Sequence, residues 1–176
     1  GIADKSMFLK KVFRFCFKNS DVICLSNLLT KDVEDVVDAS SISVVMNGIA
    51  AGKIDFEKLQ EKHLMLVAGH RSVRIGMLSN LQLFKGVDYF LVLANELLQK
   101  RADVEFHLAG PFTPSFSQDD FDAFRLGLGA NASRFIYHGA LYGSDKHKFL
   151  TDLDILVHPT RNDALPLVII EALAAG

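Results

Sequence analysis

Four times between residue 72 and the C-terminal glycine, a short apolar run gives way to a segment with helical spacing. Strands are expected at 73–78, 104–110, 134–138 and 154–158, and helices beginning near Lys85, Ser117, Ser144 and Pro166. The first of these helices carries Val87, Phe90, Leu91, Ala94, Leu97 and Leu98 on one stripe. Ser144-Asp145 supplies an N-cap-like pair for the third. Strict alternation of this kind is satisfied by a parallel sheet with right-handed crossovers and helices on both faces. The expected fold is therefore α/β, a doubly wound parallel sheet. Ligands of such sheets bind beyond the carboxyl ends of the strands.

The last of the four units is the most informative chemically. A run from Ile155 to Val157 stops at Pro159, a polar loop carries Asp163, and a helix follows Pro166, a residue suited to a first helical turn. That helix is apolar nearly all round and is expected to be buried, with Glu171 as its one acid. A carboxylate among Val, Ile, Leu and Ala is costly to bury without hydrogen-bonding partners. Helical side chains lean toward the N-terminus, where free N–H groups attract anions, so Glu171 points toward an anion site. Two acids flanking an anion site describe a pocket for a phosphorylated polyol.

The first 70 residues read differently. An amphipathic helix at 8–17, strands at 21–26 and 41–46, a helix at 31–37 and an Asn47-Gly48 turn are expected. So few elements make a poor independent domain. We expect 1–48 to be the tail of a preceding domain, 49–70 a linker, and 71–176 a ligand-binding domain truncated at its C-terminus. The chain as a whole then reads as a fragment. Near-balanced charge, formally −2, argues against a nucleic-acid coat. Cys16 and Cys24 fit a reducing compartment and buried positions, and no apolar run is long enough to span a bilayer.

From about Asn19 to Gly176 the chain resembles the retaining, sugar-nucleotide-dependent glycosyltransferases of family 4, which have the GT-B architecture of two facing Rossmann-like domains. Three blocks carry the resemblance: 20–26 with Val45-Met46-Asn47-Gly48, then Ile75-Gly76 through Lys85-Gly86-Val87-Asp88, and the terminal acidic block. The last matches the family's two acids separated by seven residues, followed by Ala, a hydrophobe, Ala, any residue and Gly. The resemblance implies that 71–176 is the C-terminal, donor-binding domain and 1–48 the exit from the acceptor-side domain. It implies that Lys85 neutralises the donor diphosphate and that Glu171 holds the ribose hydroxyls. The N–H groups of Leu167 and Val168 would cradle the distal phosphate, and Asp163, the catalytic residue, would contact the transferred sugar and orient its hydroxyls. Tyr137 and His138 would lie near the base pocket. The chain departs from the pattern at Asn80, where the family has Arg, and at Asp163, one methylene shorter than the usual Glu.

The resemblance further implies a UDP- or GDP-sugar donor, no cofactor or metal, and transfer with net retention to a carbohydrate or lipid-linked acceptor held by the missing domain. The isolated chain would bind donor weakly and transfer nothing. A cytoplasmic location follows, as do pathways such as polysaccharide assembly. Lys10, Lys11, Arg14 and Lys18 share one helix face, which offers 8–18 a peripheral contact with the inner, anionic membrane face; a domain-packing helix is the plainer reading. Two other functions stay open. One is a sugar-nucleotide epimerase of the same architecture, with His138 and His158 as acid–base groups. The other is a degenerate nucleotide-sugar-binding or scaffold module, suggested by Asn80 and Asp163. Gly127–Ala132 matches a loose dinucleotide fingerprint, but it follows a helix and precedes a strand, the wrong order for that turn. The remaining histidines lack metal-ligand spacing.

Overall fold

A computed structural model describes residues 5–49, 56–163 and 165–176, leaving out the side chain of Lys58. The chain divides into two compact units, Gly1–Ile49 with Asp163–Leu167, and Ala50–Asn162 with Val168–Gly176.

The larger unit holds a four-stranded parallel sheet of β3 (Val73–Leu78), β4 (Val104–Ala109), β5 (Phe135–Tyr137) and β6 (Ile155–Leu156), in the spatial order β5-β4-β3-β6. Ile75 pairs with Phe106 on one side and with Ile155 on the other, and Phe106 pairs with Phe135. Between the strands run α4 (Val87–Lys100), α5 (Gln118–Gly127) and α6 (Gly143–Asp152), and α7 (Leu167–Ala175) follows β6. Alternate residues of a strand point to opposite faces, and both faces of this sheet are covered. Val104, Phe106 and Leu108 pack with Phe90, Ala94 and Leu98 of α4 and Phe121 of α5. On the opposite face Ala109 and Leu78 meet Phe149, Leu150 and Leu153 from the α6 region and Val168, Ala172 and Ala175 of α7. Helices on both faces of a parallel sheet are the doubly wound, Rossmann-like arrangement that the alternation predicts. Strand order reverses between β3 and β6: β4 and β5 lie to one side of β3, β6 to the other.

The carboxylate of Asp154, 8% exposed, ties the amino ends of β3 and β6 together. It accepts hydrogen bonds from Arg71 Nη1 and Nη2 (2.7 and 2.6 Å) and from the backbone N–H of Arg74 (2.8 Å). Lys62 Nζ lies 3.8 Å away and also donates to the carbonyls of Thr151 and Leu153. Burial by itself raises the Asp154 carboxyl; the hydrogen bonds and the charges of Arg71 and Lys62 outweigh it and hold the group below its ordinary value.

The smaller unit pairs β1 (Val22–Cys24) with β2 (Ile42–Val44) in parallel, beside α1 (Met7–Cys16) and the short α2 (Asn27–Thr30). Several details depart from the sequence expectations. The helix predicted over 31–37 is instead a run of turns after α2. The linker expected over 49–70 contains α3 (Phe56–Val67), while 50–55 lie outside the described residues. Cys24 is buried, but Cys16 is exposed, because α1 buries none of its residues. In α7 only Val168 and Ala175 are buried, and Leu173 is 75% exposed, so the helix presents one stripe rather than its whole circumference to the sheet.

Candidate functional site

The crossover between β3 and α4 is built by close backbone packing. Ser79 N–H donates to Ala109 O (3.1 Å) and Leu81 N–H to Pro111 O (3.0 Å), which joins the loops after β3 and β4. Gly110, with φ 138°, allows this: a Cβ there would overlap the Ser79 carbonyl oxygen. Leu81 is fully buried and anchors the loop, leaving Asn80 exposed at its tip. A single 3-10 turn, Leu83–Lys85, leads to Gly86, whose φ of 80° lies in the left-handed region and opens α4. A side chain at Gly86 would overlap the carbonyl of Pro159, in the loop after β6. The crossover after β3 and the loop after β6 therefore touch across the point where strand order reverses.

Lys85 is half-buried on this turn, its ammonium 5.6 Å from the centre of the Phe84 ring. The adjacent contact comes from Arg161, a residue not singled out from sequence. Its N–H donates to Phe84 O (3.1 Å), and its guanidinium donates to Leu83 O and in fork fashion to Asp88 (3.0 and 2.7 Å). The guanidinium also lies 4.2 Å from the Tyr89 ring centre. The Arg161 hydrogen bond is the chief reason the Asp88 carboxyl lies below its usual value. A signal for this pair was present: an acid in the first turn of one helix and a base in the loop leading to another, both bordering the strand-order reversal.

Glu171 lies in the second turn of α7, one-quarter exposed. It is not the lone acid that its surroundings suggested. Lys146 of α6 donates to Oε1 at 2.7 Å and lies 2.6 Å from Oε2. Val168 is buried in the first turn of α7. Leu167, the first residue of that helix, and Asp163 group with the smaller unit. There Leu165 O accepts from Asn47 Nδ2 at 3.2 Å.

Tyr137 and His138 diverge, as neighbours at a strand end must. The Tyr137 ring packs on Phe112 and Phe121, and its hydroxyl donates to Gly110 O at 2.7 Å. His138 turns to the α6 face. Its Nε2 is 3.0 Å from His107 Nδ1, its ring stacks on His107, and its edge meets Phe149. The two imidazoles line a cavity of about 370 Å³ beneath α6, together with Arg74, Asp145, Lys148 and Asp152. Burial lowers both histidines, and in His107 the charge of His138 adds to it. Among the described residues no cluster of three or more His, Cys, Asp or Glu is arranged to hold a metal ion.

The family described as "Glycosyl transferases group 1" matches residues 72–176, more than half of the chain. The chain belongs to this glycosyltransferase family. No curated protein matches it. Among solved structures it superposes on HepE from Anabaena in complex with UDP, with a TM-score of 0.71 and 19% identity over 99% of this chain and 48% of that one. The glycosyltransferase from Rickettsia africae gives a TM-score of 0.68 and 20% identity, covering 97% and 46%. TarM gives 0.68 and 18%, covering 94% and 30%. At these identities the likeness is one of fold. The chain spans less than half the length of each of these solved structures. No helix among the described residues is long and apolar enough to cross a membrane.

Proposed function

We propose that residues 71–176 form the donor-binding domain of a retaining, family 4 glycosyltransferase, and that 1–48 are the exit from its acceptor-side domain. The observation that carries this reading is the Lys85-Gly86 turn lying against the loop after β6 where strand order reverses, the place where open α/β sheets take their ligands. A half-buried lysine there suits a nucleoside diphosphate.

Breaking the sugar–phosphate bond leaves an oxocarbenium-like sugar and a diphosphate, and the site's task is to stabilise that charge where it develops. In this reading Lys85 and the N–H groups of Leu167 and Val168 meet the diphosphate. Asn80 supplies a hydrogen bond where the family has a cation. Glu171 accepts from the ribose hydroxyls and Asp163 orients the transferred sugar. Tyr137 and His138 border the base, Tyr137 through the loop that its hydroxyl holds. The donor is a UDP- or GDP-sugar, no metal takes part, and configuration is retained. The acceptor, a carbohydrate or a lipid-linked one, is held by the complete protein, which works in the cytoplasm; this chain alone transfers nothing. The 8–18 helix offers a peripheral contact with the inner membrane face.

Isothermal titration with UDP and with GDP tests the reading. One nucleotide should bind in the micromolar-to-millimolar range, and Lys85→Ala and Glu171→Ala should each weaken it about ten-fold, the loss of one charged hydrogen bond. Binding of neither nucleotide, or variants indistinguishable from wild type, would refute it.

A further inference from the structure

We propose that Arg161 is a positioning residue for Lys85: it clamps the turn that carries the lysine to the loop after β6, and so sets where the ammonium meets a diphosphate. The proposal rests on the donor-site reading above and adds a residue on a different loop, one that the sequence resemblance does not supply.

Lys85 ends a single 3-10 turn between β3 and α4. Such turns have poor hydrogen-bond geometry, and one alone holds its residues weakly without outside contacts. Here those contacts come from the loop after β6, and most of them from Arg161. Its backbone N–H donates to Phe84 O at 3.1 Å, and its guanidinium donates to Leu83 O. Leu83 O also accepts from Gly86 N–H at 3.0 Å, so the two donors fill both acceptor positions of the carbonyl that closes the turn. Beyond the turn, the guanidinium reaches both oxygens of Asp88 at 3.0 and 2.7 Å and lies 4.2 Å from the centre of the Tyr89 ring. Arg161 therefore grips the chain on both sides of Lys85, while the Pro159 carbonyl closes on Gly86.

A planar, five-donor cation can bond a carboxylate and a main-chain carbonyl at once, which a point-like ammonium cannot reproduce. This separates placement from simple attraction. A second cation that drew a diphosphate by charge alone would serve equally well as lysine. A clamp needs the fork. Both partners of the Arg161–Asp88 pair are 38% exposed, so the pair adds little to overall stability, and its loss should leave the fold standing while releasing the turn.

The test is a double-mutant cycle on the whole chain, with dissociation constants for UDP and GDP measured by NMR titration. For the nucleotide that binds, Lys85→Ala should weaken affinity about ten-fold, the loss of one charged hydrogen bond. Arg161→Ala should weaken it about five-fold, an ordinary coupling for residues joined in one hydrogen-bonded network. In the double variant the loss should stay at about ten-fold, because Arg161 acts only through the lysine; independent contributions would multiply to about fifty-fold. Arg161→Lys should bind as weakly as Arg161→Ala. Should Arg161→Ala fail to fold by circular dichroism, Asp88→Ala, which removes the acceptor of the fork, takes its place in the cycle with the same expectation. A folded Arg161→Ala with unchanged affinity, a multiplicative loss in the double variant, or a lysine variant equal to wild type would overturn this proposal and leave the donor site standing. A wild type that binds neither nucleotide, or Lys85→Ala with unchanged affinity, would overturn the donor reading and this proposal together.

Discussion

Replacing Asp154 by Asn probes how the sheet is held at the amino ends of β3 and β6. The carboxylate is 8% exposed and accepts three hydrogen bonds of 2.6–2.8 Å from Arg71 and Arg74. The substitution keeps the shape but removes the charge, leaving the side chains of Arg71 and Lys62, 19% and 18% exposed, without their counter-ion. Breaking one partner of a buried pair costs about 3–5 kcal/mol. The cations here keep some solvent and Lys62 keeps its carbonyl partners, so we expect about 2–3 kcal/mol. Against a total stability of about 5–15 kcal/mol this is a large fraction, corresponding to a fall in Tm of roughly 5–10 °C. Urea denaturation followed by circular dichroism at pH 7 measures it. The folded-state carboxyl lies below its unfolded value, so the contribution is present above about pH 4 and disappears as pH falls through the folded value. The variant and wild type should therefore converge in acid. A loss under about 0.5 kcal/mol at pH 7, within the range of ordinary surface changes, would refute the argument. So would a difference that persists undiminished at pH 2.

Other perturbations follow from the same geometry. Gly86→Ala should destabilise by about 2 kcal/mol or more and weaken nucleotide binding, because φ of 80° and the Pro159 carbonyl both oppose a Cβ; urea melts and titration read the two effects. The His107–His138 pair is lowered by burial, so the unfolded chain takes up protons first as pH drops below about 6.5, and stability should fall there. His107→Gln should flatten that limb of the stability–pH curve, and an unchanged slope would count against it. Asp88→Ala should cost under about 1 kcal/mol in a urea melt, since both partners are 38% exposed and water screens them. Under native conditions a thiol reagent should label Cys16 quickly and Cys24 only on unfolding; equal rates would contradict their placement.

The repeated β–α alternation was legible because periodicity reports directly which side of an element meets apolar neighbours. Val87, Phe90, Leu91, Ala94 and Leu98 are the buried stripe of α4, as their spacing implies. Where burial rather than spacing had to be judged, the sequence misled. Leu173 is exposed in a helix of almost uniform hydropathy, and Cys16 lies on a helix that buries nothing. Composition states what a residue would tolerate, whereas neighbours decide what it meets. The 31–37 segment similarly had enough apolar residues for a helix, yet local turns took it.

Local pattern alone thus determined the parallel α/β class and a helix opening near Lys85. These depend on backbone sterics and on residues close together in the chain. Partnerships across long separations were decided only by the fold: Lys146 beside Glu171, Arg161 on Asp88, Arg71 and Lys62 on Asp154, and His107 on His138. A charged side chain reaches several ångströms in any direction, and its spacing in sequence carries no record of which strand end will pass beside it. Closure of the sheet selects the partner, and with it whether an acid is held by a neighbour or left for a ligand.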